Sequence, residues 1–131
     1  MRLFGSGVDI VEVQRVKRLI NKGNVYKKRV FSKGEIKYCD NKKNSFNFFA
    51  KRFAAKEAFS KSLGTGFSKG LKFNEIEVYN NKLGKPQIRI LGNSQKIVNR
   101  IIKGSYRILL SLSDETKCVI AFVIIEKNEK N

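Results

Sequence analysis

The apolar residues between Asn44 and Gly64 recur at the spacing of an α-helix. At about 100° per residue they form two stripes on opposite sides of that helix. One stripe consists of Phe46, Phe49, Ala50, Phe53 and Ala54, and the other of Phe48, Ala55, Phe59 and Leu63. A helix with two apolar sides is buried over most of its surface. Because glycine readily adopts the left-handed backbone that ends many helices, the pattern predicts a long buried helix that stops at Gly64.

The first third of the chain contains shorter patterns. Residues 3–11 have the length and composition of a buried strand, and its two glycines weaken it unless another group must approach the backbone. An amphipathic helix with a basic outer face is predicted from about residue 10 to residue 21. A basic helical turn at residues 25–30 and a short helix at residues 33–40 follow, and Ser32 opens the latter as part of a capping box.

Beyond the long helix, the apolar residues follow the two-residue period of strands. Four strands are predicted, at residues 73–79, 87–91, 106–113 and 117–126. A short helix lies between the second and third strands, and Asn93 and Ser94 are expected to cap it. The elements predict an α+β fold, in which a small antiparallel sheet packs on the long buried helix. We assign residues 1–126 to a single domain and residues 127–131 to a charged tail.

Positive charge dominates the composition, with 28 Lys and Arg residues against 11 Asp and Glu residues and a net charge of +17. Such a charge favours an anionic partner: a nucleic acid, an acidic protein, a phosphorylated small molecule or a membrane surface. No apolar stretch of the sequence has the length of a membrane span, since the longest, residues 119–125, has the length of a strand. The charge alone does not choose among these four kinds of partner.

Histidine is absent, and the two cysteines, Cys39 and Cys118, lack the spacing of a zinc site. The sequence therefore excludes a histidine general base and a serine-type triad. Any bound metal would need oxygen ligands, which favours Mg²⁺. Two isolated thiols, together with an N-terminus in which Asp9 and Glu12 interrupt the apolar run of a signal peptide, predict a cytoplasmic protein.

Asp9 has two interpretations. Its spacing from Glu12 fits a capping box that opens the first helix. A carboxylate at the end of a strand whose glycines leave room for a ligand could instead hold a metal. The sequence leaves both interpretations open, because a carboxylate has enough lone pairs to serve both purposes.

Glu57 falls in the middle of the first apolar stripe. A buried carboxylate needs a cation, a metal or a proton. An ion pair with Lys56, Arg52 or Lys61 would satisfy it, and Lys61 lies at the favourable i+4 position. Alternatively, Glu57 and Asp9 form a two-carboxylate Mg²⁺ site, beside which Lys61 points at the phosphates of a substrate.

Four motifs taken together resemble one family. They are Gly7-Val8-Asp9, Phe53-Ala54-Ala55-Lys56-Glu57-Ala58-Phe59-Ser60-Lys61, Gly64-Thr65-Gly66 and Gly84-Lys85-Pro86. They are similar to those of the bacterial holo-acyl-carrier-protein synthases, the small phosphopantetheinyl transferases. The resemblance implies Mg²⁺-dependent transfer of 4'-phosphopantetheine from coenzyme A to a serine of apo acyl carrier protein, with release of adenosine 3',5'-bisphosphate. It also implies a role in fatty acid biosynthesis and a homotrimer with active sites between subunits, with neither nucleic acid nor membrane as a partner.

The resemblance implies a role for particular residues. Asp9 and Glu57 would hold the metal and, with Lys61, form the catalytic group. Coenzyme A would contact Arg52, Lys61, Gly64, Thr65, Gly66, Lys85 and Pro86. The acidic carrier protein would dock on the basic first helix through Arg15, Arg18 and Lys22. The base for the serine hydroxyl stays open between Glu57 and a metal-bound water held by Asp9.

One position departs from the family pattern. Members commonly have a histidine after a Ser-x-Ser strand end, whereas residues 111–113 are followed here by Asp114. Because an acid cannot make a cationic contact to phosphate, we expect weaker coenzyme A binding, or compensation by a nearby lysine such as Lys117. Two other functions stay open: a degenerate transferase that binds coenzyme A but turns over poorly, and a basic nucleic-acid-binding module without enzymatic activity. The nucleic-acid-binding function gives no reason for Glu57 on a buried stripe.

Overall fold

The computed structural model describes residues 1–128 of the chain. Its helices are α1 (Val13–Ile20), α2 (Asn24–Val30), α3 (Lys33–Asp40), α4 (Ser45–Leu63) and α5 (Gly92–Ile102). Its strands are β1 (Arg2–Glu12), β2 (Ile76–Asn80), β3 (Pro86–Ile90), β4 (Tyr106–Asp114) and β5 (Cys118–Lys127), and a one-turn 3-10 helix, Phe73–Glu75, precedes β2. The predicted α+β fold is confirmed. Lys127, which we assigned to the tail, is the last residue of β5, and residues 129–131 of that tail lie outside the described residues.

The described strands form two antiparallel sheets. In the three-stranded sheet β5 lies between β1 and β4, while β2 and β3 pair with each other in a hairpin. β3 also contacts β4, so the hairpin lies beside the β4 edge of the larger sheet. The predicted pairing of the last two strands is confirmed, with Leu112 opposite Ala121.

α4 is the centre of the core, as its two apolar stripes predicted. It packs on β1 and β5, and 12 of its 19 residues are buried. A Cβ atom at Gly7 would clash with the carbonyl oxygen of Ala58, and one at Gly5 with that of Ser62. The space beside the glycines of β1 is therefore filled by the backbone of α4, and the expectation that they leave room for a ligand is wrong. The helix ends as predicted, with Gly64 in the left-handed region at a φ of 83°.

The first helix begins later than predicted. β1 stays paired with β5 through Glu12, which lies opposite Cys118, and α1 starts only at Val13. Asp9 is a strand residue opposite Ala121, so the capping-box interpretation of this aspartate is wrong. A side-chain cap is worth about 1 kcal/mol, which is less than a continuous ladder of backbone hydrogen bonds to the neighbouring strand provides.

α5 also begins differently from the prediction. Leu91 is its N-cap residue, so the expected caps Asn93 and Ser94 lie inside its first turn. The buried hydroxyl of Ser94 donates to Oε1 of Glu75 at 2.7 Å and accepts a hydrogen bond from the backbone N–H of Lys72 at 3.1 Å. The side chain that suggested a cap instead fastens α5 to the 3-10 helix.

A fully buried ion pair joins α3 to α4. Nζ of Lys56 lies 2.7 Å from Oε1 of Glu35, and it also donates to two backbone carbonyl oxygens at and just after the 3-10 helix. Glu35 accepts two further hydrogen bonds, from the backbone N–H groups of Ser32 and Val78, and the first of these confirms the predicted capping box. Burial lowers the pKa of Lys56, and the charge of Glu35 opposes that shift. Because each donor and acceptor has a partner, the pair offsets much of its desolvation cost.

The outer face of the three-stranded sheet carries an apolar patch. Val8 and Ile10 of β1 are 54% and 64% exposed, and Ile120 and Phe122 of β5 are 42% and 43% exposed. The strand register sets Val8 opposite Phe122 and Ile10 opposite Ile120, so the four side chains are neighbours on one face. A contiguous exposed patch of this kind is typical of a protein–protein interface.

Two further expectations concern the cysteines and the membrane. Both cysteines are free thiols, as predicted, and burial raises the pKa of Cys39 to about 12, which makes this thiol a poor nucleophile. None of the helices within residues 1–128 has the length and apolar character needed to cross a membrane. The cytoplasmic location stays a prediction.

Candidate active site

Asp9 and Lys61 meet where β1 packs on α4. Asp9 follows Gly7 by two residues, so its side chain lies on the same face of β1, toward the helix. Nζ of Lys61 donates to Oδ1 of Asp9 at 3.1 Å and to the carbonyl oxygen of Val8 at 3.0 Å. The Lys61 side chain is 52% exposed, against 17% for Asp9. The ammonium group is therefore anchored on the protein and still accessible to an anion in solvent.

Glu57 lies beside this pair and is half-buried. Burial raises the pKa of Glu57, the charge of Asp9 raises it further, and the cations Lys61 and Arg15 oppose the shift. Within residues 1–128 the carboxylate of Glu57 makes no ion pair. Because the charge of Asp9 acts against the charged form of Glu57, a cation bound beside Glu57 would relieve this repulsion.

The ion-pair interpretation of Glu57, one of the two that the sequence left open, is wrong. Each of the three cations considered has another partner in the described chain: Lys56 pairs with Glu35, Arg52 donates to Asn80, and Lys61 donates to Asp9. The carboxylate of Glu57 therefore makes no ion pair within residues 1–128, although Lys61 and Arg15 act on it electrostatically, and it is available to a metal.

Asp9 and Glu57 fit a Mg²⁺ ion. This ion commonly takes one or two carboxylates and completes its shell with water and substrate phosphate oxygens. No group of three or more His, Cys, Asp or Glu side chains that could hold a metal occurs in the part of the chain that the structure describes. The pair of acids with Lys61 beside it thus suits a metal that is bound together with a phosphate substrate, rather than a closed structural site.

The loop that follows α4 has an open, glycine-rich backbone. Gly64 and Gly66 have φ angles of 83° and 60°, and no atom lies within 4 Å of a Cβ atom built at either position. The hydroxyl of Thr65 donates to the carbonyl oxygen of Gly66 at 3.2 Å. The three residues predicted to contact coenzyme A therefore lie at the exit of the helix that carries Glu57 and Lys61, with free space beside their backbone.

Arg52 points to another side of α4, since five residues, or about 140° around the axis, separate it from Glu57. Its side chain is buried; Nη2 donates to Oδ1 of Asn80 at 2.9 Å, and the guanidinium lies 4.4 Å from the ring centroid of Tyr38. Among residues 1–128, its Nε has no hydrogen-bond partner and no carboxylate forms an ion pair with it. A buried cation without a counterion is suited to bind an anion.

Lys85 and Pro86 lie at the β4 edge of the sheet. Pro86 and Arg52 line a cavity of about 220 Å³ together with Lys51 and part of β4. Lys85, in the turn of the β2–β3 hairpin, lines a smaller cavity with Phe122 on the outer face of the sheet. The packing of α4 and the hairpin against β4 therefore brings Arg52 and Pro86 to one cavity, while Lys85 lines another.

The predicted residues form two groups, one at each edge of the three-stranded sheet. Asp9, Glu57 and Lys61 form the β1 group, and Arg52, Lys85 and Pro86 form the β4 group. Because β5 lies between these edges, two strand spacings, or about 10 Å, separate the strands. No hydrogen bond or ion pair connects the two groups within the described chain.

The three residues predicted to contact the carrier protein are exposed on α1 or just after it. The guanidinium of Arg15 lies 5.8 Å from the ring centroid of Phe53, and its charge lowers the pKa of Glu57. Arg15 therefore borders the β1 group. Arg18 and Lys22 extend the basic surface toward the C-terminal end of α1.

Tyr26 is a residue of this region that the sequence did not predict. Its hydroxyl is buried and has no hydrogen-bond partner among residues 1–128. Burial raises the pKa of Tyr26, Arg15 opposes this shift and Glu57 adds to it, so the ring lies near both charges. The sequence signal was a single aromatic residue in a basic helix, which does not reveal proximity to a site on β1 and α4.

Asp114, the residue where the family commonly has histidine, pairs with a lysine that we did not name. Its Oδ2 lies 3.5 Å from Nζ of Lys51. Lys117, the lysine expected to compensate, is exposed in the β4–β5 turn and makes no ion pair with Asp114 in the described chain. The cation nearest to the departure from the family pattern therefore comes from α4.

A cleft of about 790 Å³, between α3 and the 3-10 helix, contains none of the predicted site residues. Apolar side chains, including Phe31 and Ile36, form much of its wall. The charged groups that suit phosphate chemistry lie instead at the two edges of the sheet, so cavity size does not identify the site.

Comparison with known proteins agrees with this geometry. The family model of the 4'-phosphopantetheinyl transferase superfamily matches residues 5–116. A holo-[acyl-carrier-protein] synthase of Pelagibacter ubique is 46% identical over 128 residues, which cover 97% of this chain and 99% of that protein. A holo-[acyl-carrier-protein] synthase of Buchnera aphidicola is 45% identical over 129 residues, which cover 97% of this chain and 100% of that protein.

Solved structures give the same result. The holo-[acyl-carrier-protein] synthase of Neisseria meningitidis matches with a TM-score of 0.85 and 37% identity, over 95% of this chain and 99% of that one. The synthase of Bacillus anthracis, solved in complex with CoA (3',5'-ADP), matches with a TM-score of 0.80 and 30% identity, over 98% of this chain and 100% of that one. The predicted family is confirmed. The chain belongs to the 4'-phosphopantetheinyl transferase superfamily and, within this superfamily of transferases, to the holo-[acyl-carrier-protein] synthases.

Proposed function

We propose that this enzyme transfers 4'-phosphopantetheine from coenzyme A to a serine of apo acyl carrier protein and releases adenosine 3',5'-bisphosphate. The observation that carries the proposal is the meeting of Asp9, Glu57 and Lys61 at the contact of β1 with α4. Cleavage of a pyrophosphate depends mainly on positioning and on neutralisation of charge. Two carboxylates that fit a metal, with an anchored lysine beside them, can supply both.

Mg²⁺ is the cofactor that suits the β1 group, and Asp9 and Glu57 would hold it. When bound, the ion supplies charge neutralisation at the pyrophosphate of coenzyme A. Lys61 would contact the same phosphates, because Asp9 and the carbonyl oxygen of Val8 occupy only two of its three N–H donors and the side chain stays half exposed.

Glu57 is the base that we assign to the serine hydroxyl. In the metal-free protein, burial and the charge of Asp9 raise the pKa of Glu57, and a carboxylate of higher pKa is a better proton acceptor. A carboxylate has two oxygens, so one can hold the metal while the other accepts the proton. The serine oxygen then bonds to the phosphorus that carries pantetheine, and the bond from that phosphorus to the bridging oxygen breaks.

The β4 group would bind the adenosine part of coenzyme A. Arg52 is a buried cation whose Nε has no partner in residues 1–128, and it shares a cavity with Pro86. Lys85 precedes Pro86 in the chain and lines a cavity at the outer face of the sheet. The Gly64–Gly66 loop, with its open backbone, would contact the nucleotide from the β1 side.

The complete site would lie between subunits of a homotrimer. The β1 group and the β4 group lie at opposite edges of the sheet in one chain, so each of them can face a neighbouring subunit. In a closed ring, the β1 edge of one subunit meets the β4 edge of the next. The exposed apolar patch of Val8, Ile10, Ile120 and Phe122 supports this arrangement, because it covers the outer face from β1 across β5.

Mixed trimers test the intersubunit site. Glu57→Gln disables the β1 group and Arg52→Gln the β4 group, so each variant alone should have little activity at low coenzyme A concentration. In a random equimolar mixture about three quarters of the trimers contain both variants, and each of these has one intact site of three, so the mixture should regain about 25% of wild-type activity and the purified mixed trimers about one third. Turnover is measured on trimers purified through two different tags. No recovery in such trimers would mean that both groups act within one subunit.

Arg18→Glu tests the docking of the carrier protein. Arg18 is exposed on α1, and reversing its charge should raise the KM for the acidic carrier protein by about tenfold at low salt. The KM for coenzyme A should change by less than about twofold, because Arg18 does not belong to either group. Arg100→Glu, an equal charge reversal exposed on α5, is the matched control and should change neither constant. Equal effects of the two variants would mean that net charge, and not α1, attracts the carrier.

Mass spectrometry of the carrier protein tests the reaction itself. The enzyme, apo acyl carrier protein, coenzyme A and Mg²⁺ should yield a carrier heavier by one phosphopantetheine, and EDTA should prevent this gain. No gain with retained coenzyme A binding would support the degenerate transferase. No gain and no binding would support the nucleic-acid-binding module.

A further inference from the structure

The cleft of about 790 Å³ between α3 and the 3-10 helix contains no residue that the proposed function uses. Its apolar wall includes Phe31, which is 1% exposed, and the half-buried Ile36 and Leu91. The ring of Phe31 packs edge-on against Phe49 of α4, with 4.8 Å between the ring centroids, so the core of the protein supports the bottom of the cleft. A concave site of about 300–1,000 Å³ with mainly apolar walls is typical of a small-molecule binding site.

Three exposed lysines line the same cleft. Lys33 and Lys37 lie one turn apart on α3, and Lys28 lies near the end of α2. None of these three side chains makes an ion pair within residues 1–128. Their ammonium groups are therefore available to an anion at the rim of the cleft.

The two acids that line the cleft, Glu75 and Glu77, have partners of their own. Oε1 of Glu75 accepts hydrogen bonds from the hydroxyl and the backbone N–H of Ser94, at 2.7 Å and 3.2 Å. Oε2 of Glu77 accepts a hydrogen bond from the hydroxyl of Ser32 at 2.6 Å, and its Oε1 lies 2.6 Å from Nε of Arg89. Because neither acid pairs with a lysine of the rim, the cleft combines an apolar wall with a cationic rim.

We propose that this cleft binds a long-chain fatty acid, with the hydrocarbon chain along Phe31, Ile36 and Leu91 and the carboxylate at the lysines of the rim. Apolar walls favour burial of a hydrocarbon chain, and unpaired cations at the opening favour a negative head group at one end of it. The apolar side chains are recessed in the cleft and do not protrude toward a bilayer, so the ligand is a single dissolved chain. The site is separate from the β1 group and the β4 group and goes beyond the proposed transfer reaction.

Calorimetric titration of the protein with dodecanoate, below the concentration at which it forms micelles, tests the chemistry of the ligand. Decanoate should bind about tenfold more weakly than dodecanoate, because two fewer methylene groups are buried. Dodecyltrimethylammonium has a chain of the same length and the opposite charge, and it should bind at least about tenfold more weakly at low salt. Affinity that does not depend on chain length, or equal affinity for the two head groups, would overturn the proposal.

Removal of charge at the rim tests the position of the carboxylate. The triple variant Lys28→Gln, Lys33→Gln, Lys37→Gln should lose about tenfold in affinity for dodecanoate at low salt. The matched control carries the same change at three exposed lysines that do not line the cleft, which are Lys82, Lys96 and Lys117. The control should change the affinity by less than about twofold. Equal losses in the two triple variants would mean that net charge, and not the cleft, attracts the ligand, and would overturn the proposal.

A tryptophan in the cleft tests the position of the hydrocarbon chain. The protein contains no tryptophan, so Ile36→Trp places a single indole on the wall of the cleft. Dodecanoate that carries a bromine at the end of its chain should quench this fluorescence, and saturating coenzyme A should leave the quenching unchanged. Leu83→Trp, at a position 94% exposed in the turn of the β2–β3 hairpin, is the control and should be quenched little. Equal quenching of the two variants, or displacement of the ligand by coenzyme A, would overturn the proposal.

Discussion

Glu57→Gln should lower kcat for phosphopantetheine transfer by at least about 100-fold and leave the fold intact. The amide is nearly isosteric with the carboxylate, but it cannot accept the serine proton and brings no charge to a metal. In the metal-free protein, burial and the charge of Asp9 raise the pKa of Glu57, and Mg²⁺ needs the ionised carboxylate, so transfer at subsaturating Mg²⁺ should begin to fall at a higher pH than an ordinary glutamate would give. The time course of the mass gain of the carrier protein, measured across pH, gives both quantities.

Thermal stability provides a second measurement on Glu57→Gln, and we expect it to rise where turnover falls. A pKa raised in the folded state means that the ionised carboxylate opposes folding at pH values above the pKa of the unfolded chain. The variant should therefore have a slightly higher Tm at neutral pH, and the gain should disappear in acid, where glutamate is protonated in both states. Glu12→Gln, the same change at an exposed end of β1, is the matched control and should alter neither turnover nor Tm. Unchanged turnover in Glu57→Gln would remove this residue from the mechanism, and a lower Tm would mean that its charge has a stabilising partner.

Local periodicity predicted the elements that are fixed by their own apolar residues. α4 begins and ends as its two stripes and Gly64 indicated, and β4 and β5 pair through the expected turn. The errors occur where a distant segment competes with a local signal. Asp9 had the spacing of a helix cap, but it lies in β1, which pairs with β5. Ser94 is a residue type that often caps helices, but its hydroxyl donates a hydrogen bond to Glu75.

The glycines of β1 correctly predicted that another group approaches the strand closely, but the approaching group was assigned wrongly. Their presence predicted a close approach to the strand, and a close approach is what occurs at Gly5 and Gly7. Sequence alone could not tell that the approaching group is the backbone of α4 at Ala58 and Ser62, because that contact joins segments far apart in the chain.

Some contacts of the candidate site could be predicted from the sequence, and others could not. The meeting of Asp9 with Lys61 follows from the resemblance of the two motifs, and the structure agrees with a hydrogen bond of 3.1 Å. The pairing of Lys51 with Asp114 was not predictable, since the two residues lie on different elements and Lys51 belongs to no motif that the sequence indicated. Sequence reasoning noticed the departure at residue 114 but named a lysine close to it in the chain, whereas the lysine close to it in space is on α4.

Lys56→Met should lower the free energy of unfolding by about 3–5 kcal/mol, because it leaves a buried carboxylate without its cation. Lys56 is fully buried, and its ammonium group satisfies Glu35 at 2.7 Å together with two backbone carbonyl oxygens. Methionine fills a similar volume but donates no hydrogen bond, so all three oxygens lose a partner. Urea unfolding measures the loss, at one fixed protein concentration because assembly would add to apparent stability.

The matched control places the same substitution in an ion pair of similar length at the surface. Lys27 lies 2.8 Å from Asp40, with side chains 18% and 47% exposed, and Lys27→Met should cost less than about 1 kcal/mol. The double variant Glu35→Gln, Lys56→Met should lose less free energy of unfolding than the sum of the losses in the two single variants. Each single change leaves the other residue buried without its partner, whereas the double variant changes both residues. Equal losses at Lys27 and Lys56, or strict additivity in the double variant, would contradict the view that burial makes the Glu35–Lys56 pair indispensable. In that case the contact of α3 with α4 would depend on its apolar side chains, and the lysine that precedes Glu57 would have to be explained by something other than the fold.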